Sequence, residues 1–177
     1  MEVKAAFAVW LTGLPASGKS TIGRALKSAL EAEGLDCDVL ESDTLRRVLT
    51  SRPRYDEEER DIFYRQMVYI GTLLLRHGVV VIFDATANRR VYRDRARQEI
   101  PNFVEVYVQT PLEVCMARDP KGIYRAGEEG AASSVPGLQA AYEPPLNPDL
   151  VIYGDREAPN EAARRIVTAL IGKGYLS

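Results

Sequence analysis

Histidine and cysteine are nearly absent from this chain, at one and two among 177 residues. The single histidine, His77, stands beside Gly78 at the end of a helical stretch, where it reads as a helix-end cation or polar cap rather than a catalytic base. Cys37 and Cys115 lie far apart and outside any CxxC pair, so neither a zinc pattern nor a disulfide framework follows from them; both read as small core residues of a reducing compartment. No apolar run approaches membrane-spanning length. A basic excess is missing too: the net charge is -2 and the sequence pI is about 5.6. That argues against a nucleic-acid backbone as main partner, while leaving room for a local cationic cleft. The apolar run in "MEVKAAFAVWLTG" has no basic segment before it and flows directly into a glycine-rich loop. It therefore reads as a first strand rather than a signal peptide. A cytoplasmic enzyme is the expectation.

What remains is an ordinary globular composition, with 46% hydrophobic and 27% charged residues. The length suits one domain over 1–177. Five strand-like runs recur at 7–13, 37–42, 79–85, 103–110 and 149–154. Helical patterns fall between and after them at 19–33, 56–77, 89–99, 112–118 and 159–171. Such alternation predicts an α/β fold with a parallel sheet and helices on both faces. Gly34 and Gly78 sit where left-handed helix caps belong. Within 56–77, Ile62, Met67, Ile70 and Leu74 suggest a core stripe, with a dimer contact as a further use of that helix. The last helix is expected to start after Asn160 as its cap. One stretch fits no regular element: 119–148, with five prolines and four glycines. Its length alone marks it as functional.

The most specific motif is "GLPASGKS", a complete G-x-x-x-x-G-K-[ST] with a strand before it and a helix after. Gly13 and Gly18 allow the backbone of Leu14, Pro15, Ala16 and Ser17 to turn its N–H groups toward phosphate oxygens, and the helix N-terminus at Lys19, Ser20 and Thr21 adds its positive end. Lys19 is expected to reach the β- and γ-phosphates of ATP, and Ser20 to bind Mg²⁺. Asp43 and Asp84 close the second and third strands, so both should face the ligand crevice. Asp43 suits an acceptor hydroxyl, although "SDTL" also reads as a helix cap; Asp84 suits the metal, through water. Near residue 120 the chain carries three cations, Arg118, Lys121 and Arg125, among glycines and small residues. A lid over 118–145 that closes on phosphoryl transfer and excludes water accounts for them.

"TPLEVCMARDPKGIYR" and "YEPPLNPDLVI", together with the phosphate loop, resemble adenylylsulfate kinases over nearly the whole chain. The resemblance implies a three-layer P-loop kinase fold with five parallel strands and a homodimer. It also implies transfer of the ATP γ-phosphate to the 3′-hydroxyl of adenosine 5′-phosphosulfate, giving 3′-phosphoadenosine 5′-phosphosulfate, with a sulfurylase as a pathway partner. Position by position, it makes Asp43 the base or hydroxyl-orienting group and Lys121 a catalytic and acceptor-site cation. Arg118 and Arg125 become lid contacts to the nucleotide. Arg46, Tyr55 and Arg60 join the acceptor site, as do Val135, Gly137 and Leu138 from "VPGL", where members read Phe-Thr-Gly-Ile.

The chain departs from that pattern at three places. Phe63 stands where members place asparagine, and Ala87 where they carry a serine described as phosphorylatable. Val135 replaces one of two rings expected to clasp the acceptor adenine, so Val135→Phe is expected to tighten the acceptor. A rival reading starts from "DATANRRVYRDRAR", which resembles nucleotide and polynucleotide 5′-kinases and would give Asp84, Arg89, Arg90 and Arg93 to another hydroxyl acceptor. A nucleotide-dependent binding module without turnover is a third reading, opposed by the intact Lys19, Ser20 and Asp43.

Overall fold

A computed structural model describes residues 6–177; Met1 to Ala5, where the N-terminal apolar stretch begins, lie outside the described residues. The strand-like runs become β1 (Ala8–Thr12), β2 (Cys37–Glu41), β3 (Val80–Asp84), β4 (Phe103–Gln109) and β5 (Leu150–Tyr153). All neighbours pair in parallel, in the order β2-β3-β1-β4-β5. Every residue of β1 and β3 is buried. That is what continuous apolar runs give when helices cover both faces of a sheet.

On one face, α1 (Lys19–Ala32) and α7 (Pro159–Gly172) pack Ile22, Leu26, Leu30, Ile166 and Leu170 against Val9, Leu11, Val104 and Val106. On the other, α3 (Glu57–Arg76) and α4 (Arg90–Glu99) cover Trp10 and Phe83, whose rings stack with centroids 4.7 Å apart. Asp56 caps α3 by accepting from the Glu59 N–H at 2.9 Å, and three glutamates fill its first turn, where the helix dipole favours negative charge. Gly34 and Gly78 take φ of 80° and 81° just past their helices, as the cap pattern predicts. The remaining helices are short: α2 (Ser42–Leu49), α5 (Leu112–Arg118) and α6 (Ile123–Glu128).

Four expectations need correction. The α3 stripe is Phe63, Tyr64, Met67, Val68 and Gly71, with Ile70 and Leu74 partly buried against the same core as expected, while Ile62 is half-exposed, because the helix turns the neighbouring Phe63 toward the sheet. Asn160 lies inside α7 and is not its cap: Ala158 takes that place and Pro159 opens the first turn, where a missing N–H costs nothing. The stretch 119–148 is not wholly irregular, since α6 forms within it on Gly122. Asp43 lies in the first turn of α2, two residues past β2, and makes no cap, since no side chain caps that helix.

Because β1 connects forward to β2 on one side and lies beside β4 on the other, the strand order reverses at β1. The crevice of an open α/β sheet opens at the carboxyl ends of the strands at such a point. The segment after β1 is the glycine-rich loop.

Gly71 is the close approach between α3 and the sheet: a Cβ there would lie 2.3 Å from Cζ of the Phe83 ring. That ring is held by Trp10, so it cannot swing away. Gly71→Ala is expected to lower stability by about 1–3 kcal/mol, the scale of an overpacked core, despite alanine's better helix propensity. Denaturant unfolding checks it; an unchanged or higher midpoint would contradict the packing argument.

Candidate active site

The loop from Gly13 to Gly18 is wedged between the ends of β1, β4 and β5. Thr110 donates its hydroxyl to the Ser17 carbonyl at 2.9 Å, and a Cβ on Gly154 would come within 2.2 Å of the same oxygen. Gly154 is therefore glycine for lack of space, and it holds the loop from the β5 side. Gly18 at φ 108° turns the chain into α1. Lys19 is buried and folds back, donating to the carbonyls of Gly13 at 3.0 Å and Leu14 at 2.7 Å. Burial holds its pKa below the lysine norm, opposed chiefly by the charge of Asp84 and, more weakly, Asp43.

Asp84 ends β3 opposite Leu11 of β1, which sets its carboxylate beside this loop. Burial raises its pKa against the pull of Lys19 and a hydrogen bond from Ser20. A hydroxyl and a carboxylate side by side at a phosphate cradle suit Mg²⁺, which takes one or two protein oxygens and fills its octahedron with water and phosphate oxygens. Among the described residues no group of three or more metal-binding side chains occurs. A fully protein-built cage is thus not what this site offers.

Across from the loop, Lys121 donates to Asp43 at 2.6 Å and to Glu41 at 3.3 Å. Burial pushes the Lys121 ammonium down, but Asp43 and then Glu41 outweigh it and hold its pKa above the lysine norm. Lys19, Ser20, Glu41, Asp43, Asp84 and Lys121 line one cavity of about 730 Å³, which runs from Pro15–Ile22 past Asp43, Asp84 and Thr86 to Arg118–Lys121 and Gly154–Pro159. At one side of it Arg118 donates to the Gly154 carbonyl at 2.9 Å.

Several sequence-predicted residues stand away from that cavity. Arg125 is exposed on α6. Arg46 is buried, bonded to Glu59 and stacked on Phe63 at 3.9 Å and Tyr55 at 4.9 Å. Arg60 donates to the Ser134 carbonyl at 2.7 Å. Leu138 is partly exposed, whereas Val135 is buried with Cys115 and Tyr124 in a small third core. Gly137 packs on Leu14: a Cβ there would lie 2.7 Å from its Cδ2. This packing bears on Val135→Phe, since a Cβ on Gly127 would already lie 3.1 Å from Val135 Cγ2 and a larger side chain at 135 has to find room in the small core.

The arginines of the rival reading are all engaged elsewhere. Arg89 pairs with Glu57 at 3.1 Å, Arg90 donates to the Pro144 carbonyl at 3.1 Å, and the buried Arg93 pairs with Glu105 at 3.2 Å. Sequence reasoning missed Glu41, Thr86 and the Gly154–Pro159 turn. Extending the strand-end rule to β5 would have found the last of these.

Comparison with known proteins agrees with this geometry. The sequence model described as adenylylsulphate kinase matches residues 5–153. The chain belongs to the adenylylsulfate kinase family. The adenylyl-sulfate kinase of Microcystis aeruginosa is 41% identical over 168 residues, 95% of this chain and 93% of that protein. The probable adenylyl-sulfate kinase of Pyrococcus abyssi is 35% identical, covering 96% of this chain and 98% of its own. Among solved structures, the Mycobacterium tuberculosis APS kinase in complex with AMPPNP and APS superposes with a TM-score of 0.89. It is 31% identical, with 94% of this chain and 98% of that chain covered.

Asp84 provides a pH test of the family site. A carboxyl whose folded pKa is raised binds its proton more tightly when folded. Its stabilising contribution is therefore complete below the unfolded value and is lost as pH rises through the folded one. Asp84→Asn is expected to remove that decline, giving a smaller fall of Tm than the parent as pH rises above about 4, the ordinary carboxylate value. Parallel Tm profiles for the two proteins would contradict a raised pKa for the buried Asp84.

Proposed function

We propose that this protein is an adenylylsulfate kinase that transfers the γ-phosphate of ATP to the 3′-hydroxyl of adenosine 5′-phosphosulfate. The observation that carries the reading is the pairing of Asp43 with Lys121 across one cavity from the phosphate loop. The loop N–H groups and the start of α1 bind the triphosphate, and Lys19 exchanges its two loop carbonyls for β- and γ-phosphate oxygens. Ser20, with Asp84 through water, would hold Mg²⁺, which when bound neutralises charge on the β- and γ-phosphates.

Asp43 orients the acceptor hydroxyl and takes up its proton as the bond to phosphorus forms. Lys121, released from Asp43 by the incoming acceptor, offsets the charge of the transferring phosphoryl group. Transfer is direct and in line. Ala87 offers no hydroxyl and is fully buried, so no enzyme-bound phosphate forms there. With Arg89, Arg90 and Arg93 held in protein contacts, a nucleic-acid acceptor has little to bind it.

Residues 1–177 act as one kinase domain with 118–145 as its lid, closing over two polyanionic ligands. Arg118 meets the nucleotide, and Arg46, Tyr55 and Arg60 shape the acceptor end. Tyr55, stacked on Arg46, is still partly exposed toward an adenine, whereas Arg60 must leave Ser134 to reach an anion. A cytoplasmic homodimer, fed by a sulfurylase, fits the family; a Thiobacillus denitrificans APS kinase is described as hexameric.

The test is mass spectrometry of products from protein, ATP–Mg²⁺ and adenosine 5′-phosphosulfate, beside a tube holding a 5′-hydroxyl oligonucleotide. Product is expected in the first tube alone; product only in the second would overturn the proposal. Asp43→Ala should lower kcat by about 10²–10⁴-fold, the usual weight of a general base, with ATP binding kept. Undiminished turnover would remove Asp43 from the chemistry.

A further inference from the structure

The phosphate loop contains a turn, Leu14–Pro15–Ala16–Ser17, closed by the Ser17 N–H donating to the Leu14 carbonyl at 3.2 Å. Ala16 takes φ 62°. Proline at the second position and positive φ at the third describe a type II turn, whose third position favours glycine. Alanine is strained there. In the type I alternative the central peptide is turned over and the third residue returns to negative φ, where alanine is unstrained. Something must therefore hold the less comfortable form.

Behind the turn, the Tyr124 hydroxyl donates to the Pro15 carbonyl at 2.8 Å. Its ring is 1% exposed and packs with Cys115 and Val135, against which Leu14 and Ala16 also lie. Asp119 holds Tyr124 in register by accepting from the N–H groups of Tyr124 at 3.2 Å and Arg125 at 3.0 Å. Pro15 and Ala16 line the cavity, whereas Tyr124 does not. A planar trans peptide points its N–H opposite its C=O. Drawing the Pro15 carbonyl toward Tyr124 therefore turns the Ala16 N–H away from it.

We infer that Tyr124 is a positioning residue for phosphoryl transfer: its hydroxyl locks the Pro15–Ala16 peptide so that the Ala16 N–H joins the phosphate cradle. The inference rests on the loop being the triphosphate site. It gives α6 a purpose beyond cover, because the segment carrying Lys121 also sets one donor of the loop. It also explains why Val135 is small and buried: it packs the ring that reaches Pro15.

The experiment is calorimetric titration of the whole protein with a non-hydrolysable ATP analogue and Mg²⁺, alongside steady-state kinetics. Tyr124→Phe keeps the ring and loses one hydrogen bond, so analogue binding should weaken about fivefold. The acceptor KM should hardly move. Adding Ala16→Gly to that variant should recover most of the loss, since glycine holds positive φ without help. Ala16→Gly alone should bind the analogue at least as tightly as the parent, a measurement that stands even if Tyr124→Phe folds poorly. Parent-like binding by Tyr124→Phe, no recovery in the double variant, or weaker binding by Ala16→Gly alone would each overturn the inference and leave Tyr124 as packing. Failure of the parent itself to bind the analogue would instead overturn the triphosphate reading.

Discussion

A buried ammonium group organises this molecule. Lys19 is nearly sealed from solvent, and a desolvated cation is costly unless something takes the place of water. Here two loop carbonyls and the Asp84 carboxylate do so. Their placement depends on the whole sheet. β3 must lie beside β1 for Asp84 to reach the loop, and β4 and β5 must flank the other side for Thr110 and Gly154 to brace Ser17. The strand order thus serves the electrostatics of one lysine, the residue we propose to hold the triphosphate.

A second buried cation secures the other end of the segment that covers the site. Arg93 pairs with Glu105 and donates to the Thr12 hydroxyl at 2.8 Å and to the Glu143 carbonyl. Thr12 in turn donates to the Thr86 carbonyl at 2.7 Å. Asn88 fastens the same stretch, giving its side-chain amide to the Ala141 carbonyl and its own carbonyl to the Glu143 N–H. One guanidinium therefore joins the last residue of β1, the turn after β3 and the far end of 119–148. A buried ion pair of this kind contributes definition more than stability, because breaking it strands a charge.

Periodicity and local motifs exposed the sheet, the principal helices and the phosphate loop, because those signals lie within a few residues of one another. The Lys121–Asp43 pair joins residues 78 positions apart, and only the family resemblance connected them. Ile62 is apolar and near the right spacing for the core, but Phe63 beside it is larger and wins the buried position. Asn160 has the side chain of a cap, but proline at the first helical position sets the start two residues earlier, with Ala158 as the cap. The Tyr124 contact had no sequence signal, since a hydroxyl meeting a carbonyl 109 positions away leaves none.

The departures from the family pattern are best understood as packed solutions rather than as losses. Phe63, in place of asparagine, lies against the Arg46 guanidinium at 3.9 Å, and the Tyr55 ring meets the same guanidinium at 4.9 Å, so one cation gathers two rings. Glu59 closes that cluster by bonding Arg46 and accepting from the backbone N–H groups of Arg54 and Tyr55. Ala87, in place of serine, holds φ 42° in the core with its N–H on the Tyr64 hydroxyl at 3.0 Å. Val135 supports the ring that reaches the phosphate loop. Each substitution removes a group that could touch a ligand and adds contacts among residues that position ligand-binding groups. On the function we propose, recognition of the acceptor falls to Tyr55, Asp43 and Lys121, with apolar packing supporting them from behind.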